Sequence, residues 1–383
     1  MSKAIKIALN LLCLRPDKQT GIEHYARAVL GSVRLPKDFE VTLYCGSDVH
    51  ADAALGCQGN AGEDRDANGQ HPELRGRDNL QVRHWFTGPT YTRILIEMFV
   101  LAVSTWRADI VFSINNFGPL FGKPGQRRLV VIHDVWFLSE KYDAGYLSKM
   151  LFVFLITLSK WRNHHFFTPT QYSRDEIVRT LGIPKSRISI TPLCLLNGPT
   201  RISDWDDGYF LLVGSSRKNK NIDRGLQGYL EYFRMGGTCR LVVIGVYDES
   251  FSEHMQTLVS QYECDTVLFE GYVEQERKWQ LLKRCRGLLF PSLYEGYGIP
   301  VIEALALAKP ALVSAGTSCE EVLNDLGVVV NGLDVSSIAT GCRRLETFDK
   351  SSIISRFAEI QERILRCDVS QEILEREIVS GQS

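Results

Sequence analysis

Short apolar runs alternate with helix-length periodic stretches along almost the whole chain. The runs AIKIALNLL (4–12), FEVTLYC (39–45), NLQVRHW (79–85), ADIVFSI (108–114), RLVVIHD (128–134), HFFTPT (165–170) and RISITPL (187–193) read as strands. A second series follows: YFLLVG (209–214), CRLVVIG (239–245), TVLFEGY (266–272), RGLLFPS (286–292), PALVS (310–314) and GVVV (327–330). Many of these are continuously apolar rather than alternating, as expected of strands buried on both faces of a parallel sheet. Helical periodicity falls at 21–35, 91–106, 142–163, 172–182, 220–235, 252–263, 275–285, 299–308 and 334–347. Strand–helix–strand alternation of this kind predicts an α/β, doubly wound architecture.

The alternation restarts. Leu195 to Gly208 carries loop-forming residues without periodicity, and YFLLVG then opens the second series. A boundary near residue 200 follows, with two similar α/β domains, 1–200 and 201–383. Residues 46–78 are polar and rich in Gly, Ala and Asp, which predicts a long surface loop or insertion, partly disordered. No internal repeat is clear.

Composition adds constraints. The chain has 383 residues, 44% apolar and 23% charged, an ordinary soluble balance, and its length suits two domains of ordinary size or one large one. With 44 basic and 45 acidic residues its net charge of −1 makes no case for nucleic acid as a partner. The ten cysteines are scattered without a CxxC pair, which predicts reduced core thiols of a cytosolic protein rather than a disulfide framework or zinc site. The apolar run after Lys6 is too short for a membrane span and lacks a small-residue cleavage site, so it reads as a first buried strand. The run MLFVFLITLS, Met150 to Ser159, also falls short of the ~20 residues that a bilayer needs. It reads as a buried helix, with a helix docked on a membrane surface as the alternative.

The chemistry must come from elsewhere than the common fingerprints. No GxGxxG follows the first strand, no GxxxxGK[ST] is present, and no HExxH or histidine spacing suggests a metal. VGSSRKNKN, Val213 to Asn221, instead sets Arg217 and Lys218 at a strand-to-helix turn, where backbone N–H groups already favour an anion. The competing reading is a solvated basic loop. In PSLYEGYGIPVIEALALAKPALVS, Pro291 to Ser314, Glu295 and Glu303 stand on either side of a Gly296-Tyr297-Gly298 turn. The glycines admit a ligand to the backbone, and carboxylates there accept hydrogen bonds from a polyol. Alternatively Glu303 is only a favourable first-turn charge. HDVWF ends a strand with His133, placed to donate to a substrate hydroxyl or a reacting group, or else a satisfied structural histidine. TGIEHYARAVL offers close approach at Gly21, while His24 reads as surface.

Taken in this order along the chain, TGIEHYARAVL, VVIHDVWFL, FFTPTQYSRDEIVRTLGIPKSRISITPL, VGSSRKNKN, GYVEQERKWQLLKRC and the Glu-x7-Glu segment resemble family 4 glycosyltransferases, the glycosyl transferases group 1, of GT-B fold. The resemblance implies two Rossmann-like doubly wound domains facing a central cleft. The first would serve the acceptor and the second the nucleotide sugar, with a last helix, 351–366 or later, crossing back. It implies a retaining, metal-independent transferase with no cofactor, acting on a nucleotide-diphosphate sugar. By that resemblance Arg217 and Lys218 neutralise the diphosphate. Glu303 holds the ribose and Glu295 the donor sugar beside Gly296, Tyr297 and Gly298. Tyr272 and Val273 meet the base, His133 approaches the anomeric carbon, and Gly21 with Ile22 borders the diphosphate and acceptor side. The expected reaction moves a hexose, mannose from GDP-mannose in the leading reading, to a glycan or lipid-linked acceptor in surface polysaccharide or lipopolysaccharide synthesis. The expected location is cytoplasmic, with peripheral contact to the inner membrane face left open. A nucleotide-sugar epimerase of the same fold and a non-catalytic nucleotide-sugar-binding subunit are the alternatives.

Overall fold

The computed structural model describes residues 4–15, 21–32, 35–47, 79–85, 90–138, 146–195, 199, 201–202, 206–365 and 368–379. The chain divides into two compact units, residues 1–197 with 365–383, and residues 198–364.

The first unit is built on a seven-stranded sheet of β1 (Lys6–Leu11), β2 (Glu40–Gly46), β3 (Leu80–Trp85), β4 (Ile110–Ser113), β5 (Arg127–Val131), β6 (His165–Thr168) and β7 (Ile188–Ile190), in the order β3-β2-β1-β4-β5-β6-β7. The second has six strands, β8 (Tyr209–Ser215), β9 (Arg240–Val246), β10 (Val267–Gly271), β11 (Gly287–Phe290), β12 (Ala311–Ser314) and β13 (Gly327–Val330), in the order β10-β9-β8-β11-β12-β13. Every neighbouring pair is parallel. Each strand overlaps an apolar run of the sequence. β4, β11 and β12 are buried at every position, which is why their runs show no alternation.

Helices connect the strands. The first unit has α1 (Gly21–Ser32), a helical stretch over 90–104 with a π turn at Ile96–Val100, α2 (Tyr146–Arg162) and α3 (Gln171–Leu181). The second has α4 (Ile222–Arg234), α5 (Glu249–Gln261), α6 (Gln275–Arg284), α7 (Ile299–Leu305), α8 (Ser318–Leu323), α9 (Val335–Glu346) and α10 (Phe357–Leu365). α8, six residues long, has no counterpart in the periodicity because so short a helix completes too few turns to show one. The last helix, α11 (Asp368–Val379), packs in the first unit. There it buries Leu374 and Ile378, Ser370 donates to the Pro192 carbonyl at 2.7 Å, and Glu377 meets Arg127 at 3.7 Å.

Two expectations are corrected. The run 150–159 is not a buried helix. Leu155, Ile156 and Ser159 face the core, but Met150, Leu151, Val153 and Phe154 are exposed, because only one side of α2 meets the sheet. Nor are all cysteines reduced. Cys13, Cys45, Cys239, Cys264, Cys285, Cys319 and Cys342 are buried free thiols, whereas Cys194 is disulfide-bonded. The loop expected over 46–78 begins with the last residue of β2, and residues 48–78 lie outside the described residues. Among the described residues no helix is long and apolar enough to cross a membrane.

Strand order fixes where a ligand can sit. In each unit the chain winds outward from one strand and then returns to continue on its other side. The direction reverses between β1 and β4, and between β8 and β11. In open α/β sheets the crevice at the carboxyl ends of such a strand pair is the ligand position.

Candidate functional site

At the second unit's switch point, the loop leaving β8 is laced to the loop leaving β11. The Asn219 side chain donates to the Tyr294 carbonyl at 3.1 Å, and the Asn219 carbonyl accepts from Leu293 N–H at 2.8 Å. Asn221 adopts a left-handed conformation with φ 55°. Its side-chain amide donates to the Pro291 and Gly332 carbonyls at 2.9 and 2.7 Å. These bonds hold the backbone so that Lys220 turns inward. Its Nζ lies 2.6 Å from Glu295 Oε1 and 5.6 Å from the centre of the Phe290 ring. Ser292 Oγ is 2.6 Å from the same carboxylate oxygen, and Ser318 Oγ donates to the Glu295 backbone carbonyl at 2.7 Å. Arg217 and Lys218, the two cations singled out by the sequence, have exposed side chains. The inward cation is Lys220, which sequence reasoning passed over within the same quoted stretch.

The turn after Glu295 needs its second glycine. Gly298 has φ 96°, and a Cβ there would sit 2.7 Å from Cys319 Sγ. α7 starts at once, with Pro300 in its first turn, and carries Glu303 into the core at 0% exposure. Lys278 of α6 reaches Glu303 Oε1 at 2.6 Å, and Gln275 donates to the same oxygen at 3.3 Å. The other oxygen, Oε2, is buried with no hydrogen-bond partner. A buried carboxylate oxygen left unpaired costs on the order of 1–3 kcal/mol or more, so the arrangement favours a ligand that brings a hydroxyl donor. Each carboxylate therefore has its own lysine, and neither is arranged as a free general base. Tyr297 is largely enclosed, and burial raises its phenol above the ordinary range. Tyr272 is 67% exposed and Val273 half-buried, just past Gly271 at the end of β10.

In the first unit, His133 follows β5. Its Nε2 lies 2.8 Å from the Ile114 carbonyl, and the Tyr25 ring meets it edge-on at 4.9 Å. Burial lowers its pKa from 6.5 to about 4, so the ring is neutral at pH 7. A carbonyl can only accept, so Nε2 carries the proton and Nδ1 presents a lone pair. His133 is thus an acceptor toward a ligand hydroxyl, not the donor that the sequence suggested. Gly21 is the exposed first residue of α1, and His24, on the same helix, is half-buried.

Residues 202–352 match the family model described as glycosyl transferases group 1. The second unit is a glycosyl transferases group 1 domain. Over 233 residues the chain is 26% identical to the O-antigen chain mannosyltransferase RfbU of Salmonella typhimurium, covering 61% of this chain and 64% of that one. Over 271 residues it is 28% identical to O-antigen chain mannosyltransferase B of Escherichia coli, covering 64% and 69%. The chain thus spans about two thirds of the length of these relatives. Among solved structures, the lipopolysaccharide outer core galactosyltransferase WaaB superimposes with a TM-score of 0.66 at 15% identity, over 98% of this chain and 99% of that one. Anabaena Alr3699/HepE, in complex with UDP and glucose, gives 0.65 at 12% identity over 98% and 100%. The fold is GT-B, two Rossmann-like α/β units in one chain.

Proposed function

We propose that this chain is a retaining hexosyltransferase that moves mannose from a nucleotide-diphosphate donor, GDP-mannose in the leading reading, to a glycan or lipid-linked acceptor in O-antigen or related surface polysaccharide synthesis. The observation that carries the reading is the second unit's switch point, with a buried carboxylate oxygen at Glu303 awaiting a hydroxyl and a lysine drawn inward at Glu295. The two mannosyltransferase relatives support the sugar.

The difficult step is breaking the anomeric C–O bond. Positive charge builds on the sugar ring while the diphosphate departs with negative charge. Lys220, fixed by the Asn219 and Asn221 bonds, supplies a preorganised cation for that charge. Arg217 and Lys218, at the exposed rim of the loop, draw the diphosphate in and neutralise it further. Glu303 Oε2 accepts from the ribose hydroxyls, and Glu295 from the donor sugar. The backbone from Gly296 through Tyr297 to Gly298 runs beside the sugar, and the backbone at Tyr272 and Val273 runs beside the base. In the first unit, His133 Nδ1 accepts from a sugar hydroxyl, and Gly21 borders the acceptor side. The diphosphate charge is met by side chains, so this reading calls for no metal or cofactor. Retention follows from front-face attack, in which the leaving phosphate takes the acceptor's proton and no protein nucleophile is used. The reading puts the enzyme in the cytoplasm, with peripheral contact to the inner membrane face.

A thermal-shift series with GDP, UDP, ADP and dTDP sugars tests this, because ligand that binds only the folded state raises its melting temperature. GDP-mannose is expected to give the largest shift. A shift with UDP sugars alone overturns the GDP assignment, and no shift with any overturns the nucleotide-sugar reading. Incubation with donor alone is expected to give only slow hydrolysis, and conversion of the sugar identifies an epimerase.

A further inference from the structure

We infer that the first unit carries a docking surface for an anionic lipid bilayer, formed where the apolar outer faces of α2 and the 90–104 helical stretch end in paired Trp-Arg exits beside a cluster of arginines. Among the described residues of this unit, all large apolar side chains that are exposed come from positions 95–106, 121 and 150–161. The second unit scatters its own, such as Met235, Val246, Leu268 and Leu333, over separate elements.

The spacing makes two coherent faces. On α2, Met150, Phe154 and Trp161 recur at helical intervals on the side opposite the buried Leu155, Ile156 and Ser159. In the other stretch, Leu95, Phe99 and Val103 do the same, and the exposed Trp106 follows in the turn after it. The two stretches belong to the β3-to-β4 and β5-to-β6 connections, which cross the sheet in the same direction. Right-handed crossovers put such connections on one face of the sheet. The segment after β4 joins them. Leu120 N–H donates to the Met98 carbonyl at 3.0 Å, the Phe117 ring meets Phe152 at 5.3 Å, and Phe121 is exposed between. A contiguous apolar surface of this extent marks an interaction site.

Charge selects the occupant. From Met150 to Arg162 α2 contains no carboxylate, and the other stretch holds only Glu97, which is 0% exposed and faces Arg93. α2 finishes in Trp161-Arg162, and the turn just after the 90–104 stretch carries the same dipeptide, Trp106-Arg107, with Trp161 76% exposed and both arginines at the surface. Around the second exit, Arg128 donates twice to the Arg162 carbonyl, at 3.0 and 2.6 Å, and Arg187 donates to the His164 carbonyl at 3.1 Å. Lys160 donates to the Leu181 carbonyl at 2.5 Å. These cations are held by carbonyls rather than neutralised by carboxylates. Nearby, Glu377 is engaged by Arg127 and His165. Tryptophan and arginine at headgroup level, with aliphatic and phenyl groups beyond them, suit an anionic bilayer surface better than a protein groove. α2 has 17 residues and lies on such a surface rather than crossing it.

This inference stands apart from the transfer reaction, and so does its test. The full chain is sedimented with vesicles of phosphatidylcholine alone, or with phosphatidylglycerol mixed in, without any donor. Binding is expected only with phosphatidylglycerol, weakened by salt. The pair Phe154→Ser with Trp161→Ser is expected to reduce binding ~10-fold or more. Arg162→Ala, a surface change that leaves the fold intact, is expected to reduce it about 5-fold, and Met235→Ser in the second unit should change nothing. Absence of binding, or equal binding by the Phe154 and Trp161 pair and by Arg162→Ala, overturns the proposal. So does a concentration-dependent dimer that both variants abolish while vesicle binding is absent, which would assign the surface to a second copy of the chain.

Discussion

The sheets of both units reverse direction between the strand that opens each series and the one beyond it, yet the chemistry at the two carboxyl edges differs. At β8 and β11 the groups are fixed ion pairs, Lys220 with Glu295 and, on the adjoining helices, Lys278 with Glu303. At β1 and β4 they are groups near neutrality. Asn10 donates to Ser113 at 3.3 Å, and His133 is held neutral. Glu97, buried with Arg93 Nε at 3.2 Å, has its carboxyl pushed up to about 7 by desolvation. One topology thus supports an edge prepared to stabilise charge and an edge that keeps its titratable groups uncharged or nearly so. Burial alone does not separate them, since Glu97 and Glu303 are both at 0% exposure. The partner does: Lys278 brings Nζ to 2.6 Å from Glu303, whereas Arg93 Nε and both Glu97 oxygens lack good hydrogen-bond geometry.

The sharpest way to break this contrast is to remove one member of the second unit's buried pair. Glu303→Leu leaves the Lys278 ammonium uncompensated and is expected to cost about 3–5 kcal/mol in chemical denaturation. Adding Lys278→Met to it should recover most of that loss while nucleotide-sugar binding stays absent. Next in size, Lys220→Ala is expected to slow transfer by about 10²–10³-fold in kcat, as for loss of one preorganised contact to developing charge. An unchanged kcat would return the role to Arg217 or Lys218. Gly298→Ala should destabilise by about 1–3 kcal/mol, because its φ of 96° and the 2.7 Å approach to Cys319 Sγ both oppose a side chain.

A smaller effect probes the first unit by pH. His133 titrates near 4 when folded against 6.5 ordinarily, so the unfolded chain binds the extra proton between those values. Its contribution to stability is full above about 6.5 and is lost as pH falls toward 4. Glu97 titrates near 7 when folded against 4.5, so the folded chain binds the extra proton, and its contribution is lost as pH rises from 4.5 to 7. The two slopes oppose each other. Urea midpoints should therefore vary little across the shared window in the native chain, rise with pH in Glu97→Gln, and fall with pH in His133→Gln, by at most ~1.4 kcal/mol per pH unit. Identical pH profiles in all three proteins would remove the contrast between the edges. The smallest expected effects are those of Arg217→Ala and Lys218→Ala, each below ~10-fold in kcat at moderate salt, because exposed cations act through a screened field.

Much of the fold was legible because a strand buried on both faces leaves a continuous apolar run whatever its neighbours are. GLLF at Gly287–Phe290 and ALVS at Ala311–Ser314 needed no partner to be recognised. The Gly296-Tyr297-Gly298 turn was legible for a similar local reason, since a left-handed backbone angle calls for glycine. The site was legible only as a neighbourhood. VGSSRKNKN offers Arg217, Lys218 and Lys220 at almost one spot, and which of them faces inward depends on bonds from Asn219 and Asn221 to residues 75 and 70 positions away. Lys278 gave no signal at all, because its meaning comes from meeting a helix that begins beyond the next strand. The amphipathic character of 150–159 was hidden because both its faces are apolar, and only the sheet beneath decided which side chains were left outside.

The sequence by itself determined the α/β alternation, the places of the strands, the glycine turn and the ordered motifs of a glycosyl transferases group 1 domain, because each is set by composition and spacing over a few adjacent residues. Only the tertiary structure decided the strand order and thus the switch points. It also decided the pairing of Glu295 with Lys220 and Glu303 with Lys278, the neutral state of His133 and the apolar surface left uncovered on the first unit. Those depend on desolvation and on contacts between distant segments, and neither exists until the chain has packed.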